Sequence, residues 1–138
     1  MKKIRCFEMI FIFIVVITSL YGCGSKTYSL EGDWQFVSMI YGENELTKEI
    51  FEAAGDDLPA LECTENEYIL TYFDTRIRGT WESTGDKQYS FFLSDGFKVY
   101  SATLKVDKNN KQILTLSESD EVQKTTNDSD LFTLIFER

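Results

Sequence analysis

At residues 30–39 the chain reads LEGDWQFVSM, and this stretch decides how the rest can fold. Side chains of a β-strand alternate between its two faces. The spacing therefore predicts a strand with Trp34 and Phe36 on one face and Val37 and Met39 on the other. We interpret it as the first strand of a small closed β-barrel.

One short helix is expected directly after this strand, at residues 46–54. Its apolar side chains, among them Ile50 and Phe51, would share one side. Thr47 suits the N-cap of this helix, and Gly55 suits the position that follows its last turn.

The rest of the chain alternates strand and turn signals. Runs rich in aromatic and β-branched residues are separated by polar or glycine-containing turns. The predicted strands cover residues 60–63, 68–73, 76–83, 88–93, 97–106, 112–117 and 131–138. Residues 118–129 contain one aliphatic side chain, Val122, and are predicted to form an exposed loop.

About eight strands joined by tight turns predict an all-β, antiparallel up-and-down barrel. Closing the sheet would hide both of its edges, which is safer than leaving such apolar edges exposed. An eight-stranded barrel is either filled by side chains or holds one small ligand. The sequence leaves both possibilities open.

The N-terminus has the form of a secretory signal. Three basic residues precede an apolar run at residues 9–20, which is shorter than the roughly 20 residues that a membrane-spanning helix needs. The run ends in Leu20-Tyr21-Gly22-Cys23, which resembles the lipobox of bacterial lipoproteins. That resemblance implies cleavage before Cys23 and a diacylglycerol anchor on its thiol. An ordinary signal in which Cys23 is incidental is the alternative.

These features divide the chain into a signal peptide (1–22), a lipidated cysteine with a short tether (23–29) and a barrel domain (30–138). The membrane would then be a partner through the lipid on Cys23, outside the cytoplasm. The short tether favours the outer face of a Gram-positive membrane.

Composition excludes several classes of function. Without residues 1–22 the chain keeps 11 basic and 22 acidic residues, a net charge of about −11. Nucleic-acid binding depends on clustered Lys and Arg, so we expect none. Cys63 would be the one cysteine left as a free thiol, and its spacing from Leu61 predicts a buried core residue. The chain has no histidine, the commonest general base.

The sequence gives no sign of an enzyme, a cofactor or a metal centre. Acidic residues fall mainly in predicted turns, where Asp is selected for local hydrogen bonds. A calcium site at residues 107–110 or 128–130 is conceivable, but neither stretch has the glycine and the distal glutamate of a calcium loop.

The start and the end of the predicted barrel resemble a known family. Leu30-Glu31-Gly32-Asp33-Trp34 is similar to the glycine-x-tryptophan opening of lipocalins, and residues 134–138 resemble the last strand of short bacterial lipocalin-like lipoproteins. The resemblance implies that Arg138 packs across Trp34 to close the barrel, and antiparallel closure would also bring these two residues together. The alternative is that Arg138, as the terminal residue, frays into solvent.

Two functional classes remain. The first is a monomeric barrel that binds a small apolar or amphipathic molecule. Its candidate lining residues are Tyr68, Tyr72, Trp81, Phe91 and Tyr100, with Trp34 interpreted as a plug at the barrel floor. The second is a filled barrel that contacts an envelope protein.

Cys23→Ala tests the predicted lipid anchor. Without the thiol no diacylglycerol can be attached, so we expect protein released to the medium or an uncleaved precursor. Membrane fractionation and intact mass measurement would report the outcome. Recovery of normally processed, membrane-bound protein would show that Cys23 is not the anchor.

Overall fold

The computed structural model describes residues 28–126 and 132–138. The predicted signal peptide, Cys23 and most of the tether lie outside this part of the chain. The described residues form the strands β1 (Gly32–Tyr41), β2 (Asn44–Thr47), β3 (Ala60–Cys63), β4 (Glu67–Tyr72), β5 (Thr75–Gly85), β6 (Gln88–Leu93), β7 (Lys98–Val106), β8 (Gln112–Glu118) and β9 (Phe132–Glu137), and the helices α1 (Lys48–Ala54) and α2 (Asp120–Thr126).

The strands form a closed ring. Each strand from β3 to β8 pairs with its successor, and β1 pairs with β3 through residues 32–34 and with β9 through residues 35–41. All of these pairings are antiparallel. β2 folds back on the end of β1 as a hairpin beside the ring. The protein is an eight-stranded antiparallel barrel, which confirms the predicted fold class.

A β-bulge in β1 changes which of its side chains face the interior. Phe36 and Met39 lie opposite Phe136 and Leu134, so three steps along β1 match two steps along β9. Val37 is the extra residue. The predicted alternation, which put Met39 on the face opposite the strand's aromatic residues, is wrong beyond this point because one inserted residue exchanges the two faces.

Large apolar side chains fill most of the barrel. Along β7, for example, Tyr100, Ala102 and Leu104 are buried while the residues between them are exposed. Burial of one such Leu or Phe side chain contributes about 1.5 to 3 kcal/mol. The most deeply buried large apolar residues are Tyr68, Phe91, Phe136, Leu30, Met39, Leu61, Leu70, Leu104, Leu114, Leu116 and Leu134.

Gly79 of β5 lies where a side chain has no room. A Cβ atom there would lie 1.8 Å from the carbonyl oxygen of Phe92 and 3.0 Å from Cε1 of Tyr68. Tyr68 lies directly opposite Gly79 in the sheet. The absent side chain is therefore what allows the Tyr68 ring to pack at this point.

Helix α1 has the predicted caps but a narrower buried side than predicted. Thr47 is its N-cap by position, although its side chain makes no capping hydrogen bond, and Gly55 ends the helix with a φ of 74°. Phe51 is buried and packs edge-on against Phe36, with ring centroids 5.2 Å apart. Ile50, predicted on the buried side, is 47% exposed. Adjacent helical residues point about 100° apart, so a seven-residue helix lying on a curved barrel does not bury both.

The segment predicted as an exposed loop contains helix α2. The buried hydroxyl of Ser119 donates to the carbonyl oxygen of Lys98 at 2.6 Å and accepts the amide of Val122 at 3.3 Å. These bonds to β7 and to the first turn fix the start of α2, and the contact with β7 is not visible in the local sequence. Residues 127–131 lie outside the described residues.

The two ends of the barrel differ. We call the end where β1 begins the closed end; it comprises residues 28–34 and 136–138. We call the opposite end the α1 end; it comprises α1, the β4–β5 turn at residues 72–75 and the start of β9. The N-terminal segment therefore reaches the barrel at the closed end.

Gly79→Ala is expected to lower the free energy of unfolding by about 3 kcal/mol, because the obstacle to the new methyl group is backbone rather than a movable side chain. Gly85→Ala in the same strand is the control. Its Cβ would meet the flexible end of Gln88 at 3.3 Å, and we expect a loss below about 1 kcal/mol. Equal urea midpoints for the two variants would contradict the steric argument.

Candidate functional site

Arg138 closes one end of the barrel. Its guanidinium lies over Trp34, with the central carbon 4.1 Å from the ring centroid. Nη2 donates to the carbonyl oxygen of Ser29 at 2.7 Å, and Nη1 donates to that of Glu31 at 2.5 Å. A guanidinium over an indole is attracted by about 0.5 to 2 kcal/mol. Arg138 thus joins the end of the chain to the segment that precedes β1.

Arg138 is also held by the sheet and does not fray. Its backbone exchanges two hydrogen bonds with Gln112, at 2.9 and 3.0 Å. Its Nε donates to the side-chain oxygen of Gln112 at 2.7 Å. Gly32 leaves room for the guanidinium, because a Cβ there would lie 3.1 Å from Nη1 and its φ of 129° disfavours other residues.

The segment before β1 is tied down at the closed end. The Tyr89 hydroxyl donates to the carbonyl oxygen of Tyr28 at 2.6 Å. Leu30 is fully buried, and its carbonyl oxygen accepts the indole N–H of Trp34 at 2.9 Å. These contacts fix the point at which the N-terminal chain leaves the barrel.

Trp81 belongs to the closed end as well. Its Nε1 donates to the carbonyl oxygen of Thr64 in the β3–β4 turn at 3.1 Å, and its ring lies 5.8 Å from that of Tyr89. Trp81 lies opposite Phe91 in the sheet, and Phe91 packs against Tyr68. Trp81 is therefore a neighbour of the other candidate lining residues, but its indole N–H is already bonded to the β3–β4 turn.

Cys63 is buried, as predicted, and lies opposite Tyr68 in the sheet. Burial raises the pKa of its thiol to about 12, although the nearby Arg138 lowers it in part. The thiolate is the reactive form of cysteine, so Cys63 is chemically inert at neutral pH.

Three tyrosines lie close together in the barrel, and we call them the tyrosine cluster: Tyr68, Tyr72 and Tyr100. Tyr72 and Tyr68 both contribute to raising the pKa of Tyr100, and Tyr72 contributes to raising that of Tyr68. The Tyr68 side chain is 1% exposed, and its hydroxyl has no hydrogen-bond partner within the described residues.

Burial raises the pKa of Tyr68 and of Tyr100 further above neutral pH. It raises the pKa of Tyr68 to about 12, with Cys63 and Tyr72 adding to the effect. It also raises the pKa of Tyr100, to which Tyr72, Tyr68 and the carboxylate of Glu118 contribute. At neutral pH the hydroxyls of Tyr68 and Tyr100 are hydrogen-bond donors and carry no charge.

Aromatic rings surround the cluster. Phe91 packs edge-on against Tyr68 at 4.8 Å, and Phe132 lies 5.5 Å from Tyr72. Phe73 in the following turn lies 6.4 Å from Tyr72 and is 52% exposed. The cluster thus combines a few hydroxyls with apolar walls that continue to the surface at the α1 end.

The exposed part of this surface was not predicted as a site. Phe73 was assigned to the end of a strand and Ile50 to a buried helix face. The adjacent aromatic pair Tyr72-Phe73 before a turn was the available signal, since such a pair cannot point to one face of a strand.

Other polar features have local explanations. A depression of about 60 Å³ on the outer surface is lined by Glu62, Thr64, Glu67, Tyr68, Ile69 and Arg78, which is space for one or two waters. In the turns, the carboxylate of Asp95 accepts a hydrogen bond from the backbone N–H of Phe97. The carboxylate of Asp107 accepts hydrogen bonds from the backbone N–H groups of Asn109 and Lys111. Over residues 28–126 and 132–138, no three metal-binding side chains come together. The predicted alternative at residues 128–130 lies outside the described residues.

No family model, curated protein or solved structure matches this chain. Within the described residues, no helix has the length and apolar character required to cross a membrane.

Arg138→Lys tests the closure at the Arg138 end. A lysine ammonium cannot bind the two backbone carbonyls and Gln112 at once, and it loses the planar contact with Trp34. We expect the free energy of unfolding to fall by about 2 kcal/mol. Lys111→Ala at the same end is the control, because it removes only the exposed bridge to Glu137 and should leave the free energy of unfolding nearly unchanged. Equal losses in the two variants would contradict this role for Arg138.

Tyr68→Phe tests the unpartnered hydroxyl. The substitution keeps the ring and removes a buried donor, so we expect the protein without a bound molecule to become about 1 kcal/mol more stable. Tyr89→Phe, which removes the bond to Tyr28, should cost about 1 kcal/mol. Chemical denaturation would measure the free energy of unfolding of both variants. If Tyr68→Phe lost as much stability as Tyr89→Phe, the Tyr68 hydroxyl would already have a hydrogen-bond partner.

Proposed function

We propose that this chain is a lipid-anchored extracytoplasmic protein whose barrel binds a small apolar or amphipathic molecule at the tyrosine cluster, without catalysis. Cys23 carries the lipid in this proposal. The barrel is an all-β fold of the size that holds one small ligand. The site comprises Tyr68, Tyr72 and Tyr100 together with the apolar walls around them.

The unpartnered hydroxyl of Tyr68 is the observation that carries the proposal. A buried donor without a partner costs about 1 to 3 kcal/mol, and folded proteins rarely leave one unsatisfied. A bound molecule with an acceptor oxygen would remove this cost. A buried water could do the same, so binding must be measured directly.

The arrangement of the two ends supports a membrane-anchored binding protein. Arg138 and Tyr89 hold residues 28–31 at the closed end, so a lipid on Cys23 would bring that end near the membrane. Tyr72 of the cluster packs against Phe132 and the half-exposed Phe73 at the α1 end. In this proposal a ligand reaches the cluster from this end, which faces away from the membrane.

A second candidate function is contact with an envelope protein. The deeply buried Leu and Phe side chains that fill most of the interior favour it, because they leave less room for a ligand. The exposed Ile50 and Phe73 would then belong to a contact surface at the α1 end.

Organic extraction of the purified protein separates the two functions. The full-length chain would be purified from membranes in parallel with Tyr68→Phe, and small molecules released by solvent would be compared by mass spectrometry. We expect a bound species in the parent at near one equivalent and much less in the variant. The same traces in both, or none in either, would contradict ligand binding and favour the contact surface.

A further inference from the structure

We infer that the outer surface of α1 and the β4–β5 turn docks a cationic amphipathic segment of another protein. An apolar side chain of the partner would lie on Ile50 and Phe73, and its Lys or Arg residues would face the surrounding carboxylates. We call this region the α1 surface; it comprises residues 43–57 and 72–76. The inference rests on the second candidate function, contact with a protein, and adds the chemistry of the partner. It does not require a ligand at the tyrosine cluster.

Exposed apolar side chains are concentrated at this end of the barrel. Among the described residues, the large apolar side chains that are exposed are those of Tyr41, Ile50 and Phe73. Tyr41 ends β1, and the other two belong to the α1 surface. Single apolar residues scattered over a protein need no explanation, but their grouping at one end indicates a contact surface.

The exposed side of α1 is itself apolar. A helix turns by about 100° per residue, so Ile50, Ala53 and Ala54 share one side. All three are exposed, whereas Phe51 is buried and packs on Phe36. The helix therefore presents an apolar stripe to solvent that the core does not use.

Phe73 adds an aromatic ring beside this stripe. Its ring stacks on that of Phe51 with centroids 5.6 Å apart, yet the residue is 52% exposed. Its φ of 48° is uncommon for a bulky residue, and strained residues of this kind cluster at binding sites. Asn or Gly would adopt this turn conformation more easily, so the turn alone does not explain an aromatic residue here.

The α1 surface is strongly acidic. It carries seven acidic and two basic residues, a net charge of −5, and all nine are exposed. Lys48 already pairs with Glu52, with Nζ 3.8 Å from Oε1. The apolar stripe therefore has a negative rim. The acidic residues are Glu43, Glu45, Glu49, Glu52, Asp56, Asp57 and Asp74, and the basic residues are Lys48 and Arg76.

This charge selects the occupant of the surface. A second copy of the chain would bring the same negative charge to the contact, and an anionic lipid surface would be repelled in the same way. Residues 127–131, outside the described part of the chain, contain two Asp and one Leu, so they do not supply the complementary charge either. Basic residues around an apolar side chain match both features, since interfaces combine an apolar centre with a polar rim.

The test uses three short peptides as probes: Lys-Phe-Lys-Leu-Lys, its charge-reversed form Glu-Phe-Glu-Leu-Glu, and Lys-Ser-Lys-Ser-Lys, which has no apolar side chain. The full-length chain would be held in nanodiscs of phosphatidylcholine, which has no net charge. Binding of the labelled peptides would be followed by fluorescence anisotropy, with empty nanodiscs as the blank. We expect Lys-Phe-Lys-Leu-Lys to bind at least tenfold more tightly than either of the others, and its affinity to fall as salt is added.

Each other outcome overturns a different part of the inference. If the charge-reversed peptide binds as tightly, the cationic character of the partner is wrong while an apolar contact surface stands. If Lys-Ser-Lys-Ser-Lys binds as tightly, the apolar contact is wrong. If no peptide binds above the blank, the contact surface itself is wrong, whereas ligand binding at the tyrosine cluster is decided separately by organic extraction.

Matched charge variants separate the α1 surface from the general negative charge of the chain. Two triple variants each remove three exposed carboxylates. We expect the variant at the α1 surface to bind Lys-Phe-Lys-Leu-Lys about tenfold more weakly and the other variant to change binding less than about twofold. Equal losses would overturn the placement of the site. The substitutions at the α1 surface are Glu45→Gln, Glu49→Gln and Asp74→Asn, and those elsewhere are Glu65→Gln, Glu82→Gln and Asp86→Asn.

Phe73→Asn tests the apolar part of the contact. Asn tolerates the left-handed backbone and has no ring. We expect the variant to lose most of the preference for Lys-Phe-Lys-Leu-Lys over Lys-Ser-Lys-Ser-Lys. Thermal unfolding in the same nanodiscs would show that the fold is retained. An unchanged preference in the folded variant would overturn the contact with Phe73.

Discussion

Closure of the barrel through β1 is the constraint on which the rest of the structure depends. This strand pairs with β3 along its first residues and with β9 along the remainder. An eight-stranded sheet with so many apolar inward residues could not leave these edges exposed to water and to other chains. The contact of Arg138 with Trp34 completes the closure, because it joins the last residue of the chain to the first strand.

Two glycines make the packing near this closure possible. Gly32 and Gly79 lie in one row across four neighbouring strands, with Cys63 and Tyr68 between them. Gly32 leaves space for the guanidinium of Arg138, and Gly79 leaves space for the Tyr68 ring. Each of these glycines is followed two residues later by a tryptophan. The missing side chain leaves room for a guanidinium at Gly32 and for a phenol ring at Gly79.

The barrel is asymmetric in a way that bears on function. At the closed end, hydrogen bonds from Arg138, Tyr89 and Trp34 satisfy the backbone of the entering chain. Towards the α1 end, the interior contains Tyr72 and Tyr100 beside aliphatic side chains such as Leu134, and the apolar surface reaches solvent at Phe73. The fold can keep one unsatisfied hydroxyl, since its cost is small beside the burial of the core.

The sequence by itself determined the barrel, the order of its strands, the caps of α1 and the burial of Cys63. These follow from local periodicity and from turn chemistry, which act between residues near each other in the chain. It did not determine the bulge at Val37, the helix α2, or the hydrogen bond that holds Trp81 at the β3–β4 turn. Each of these depends on pairing across strands: β9 sets the register of β1, β7 holds the start of α2, and the β3–β4 turn binds Trp81. Only the tertiary structure could decide them, because the partner that fixes each residue lies far away in the chain.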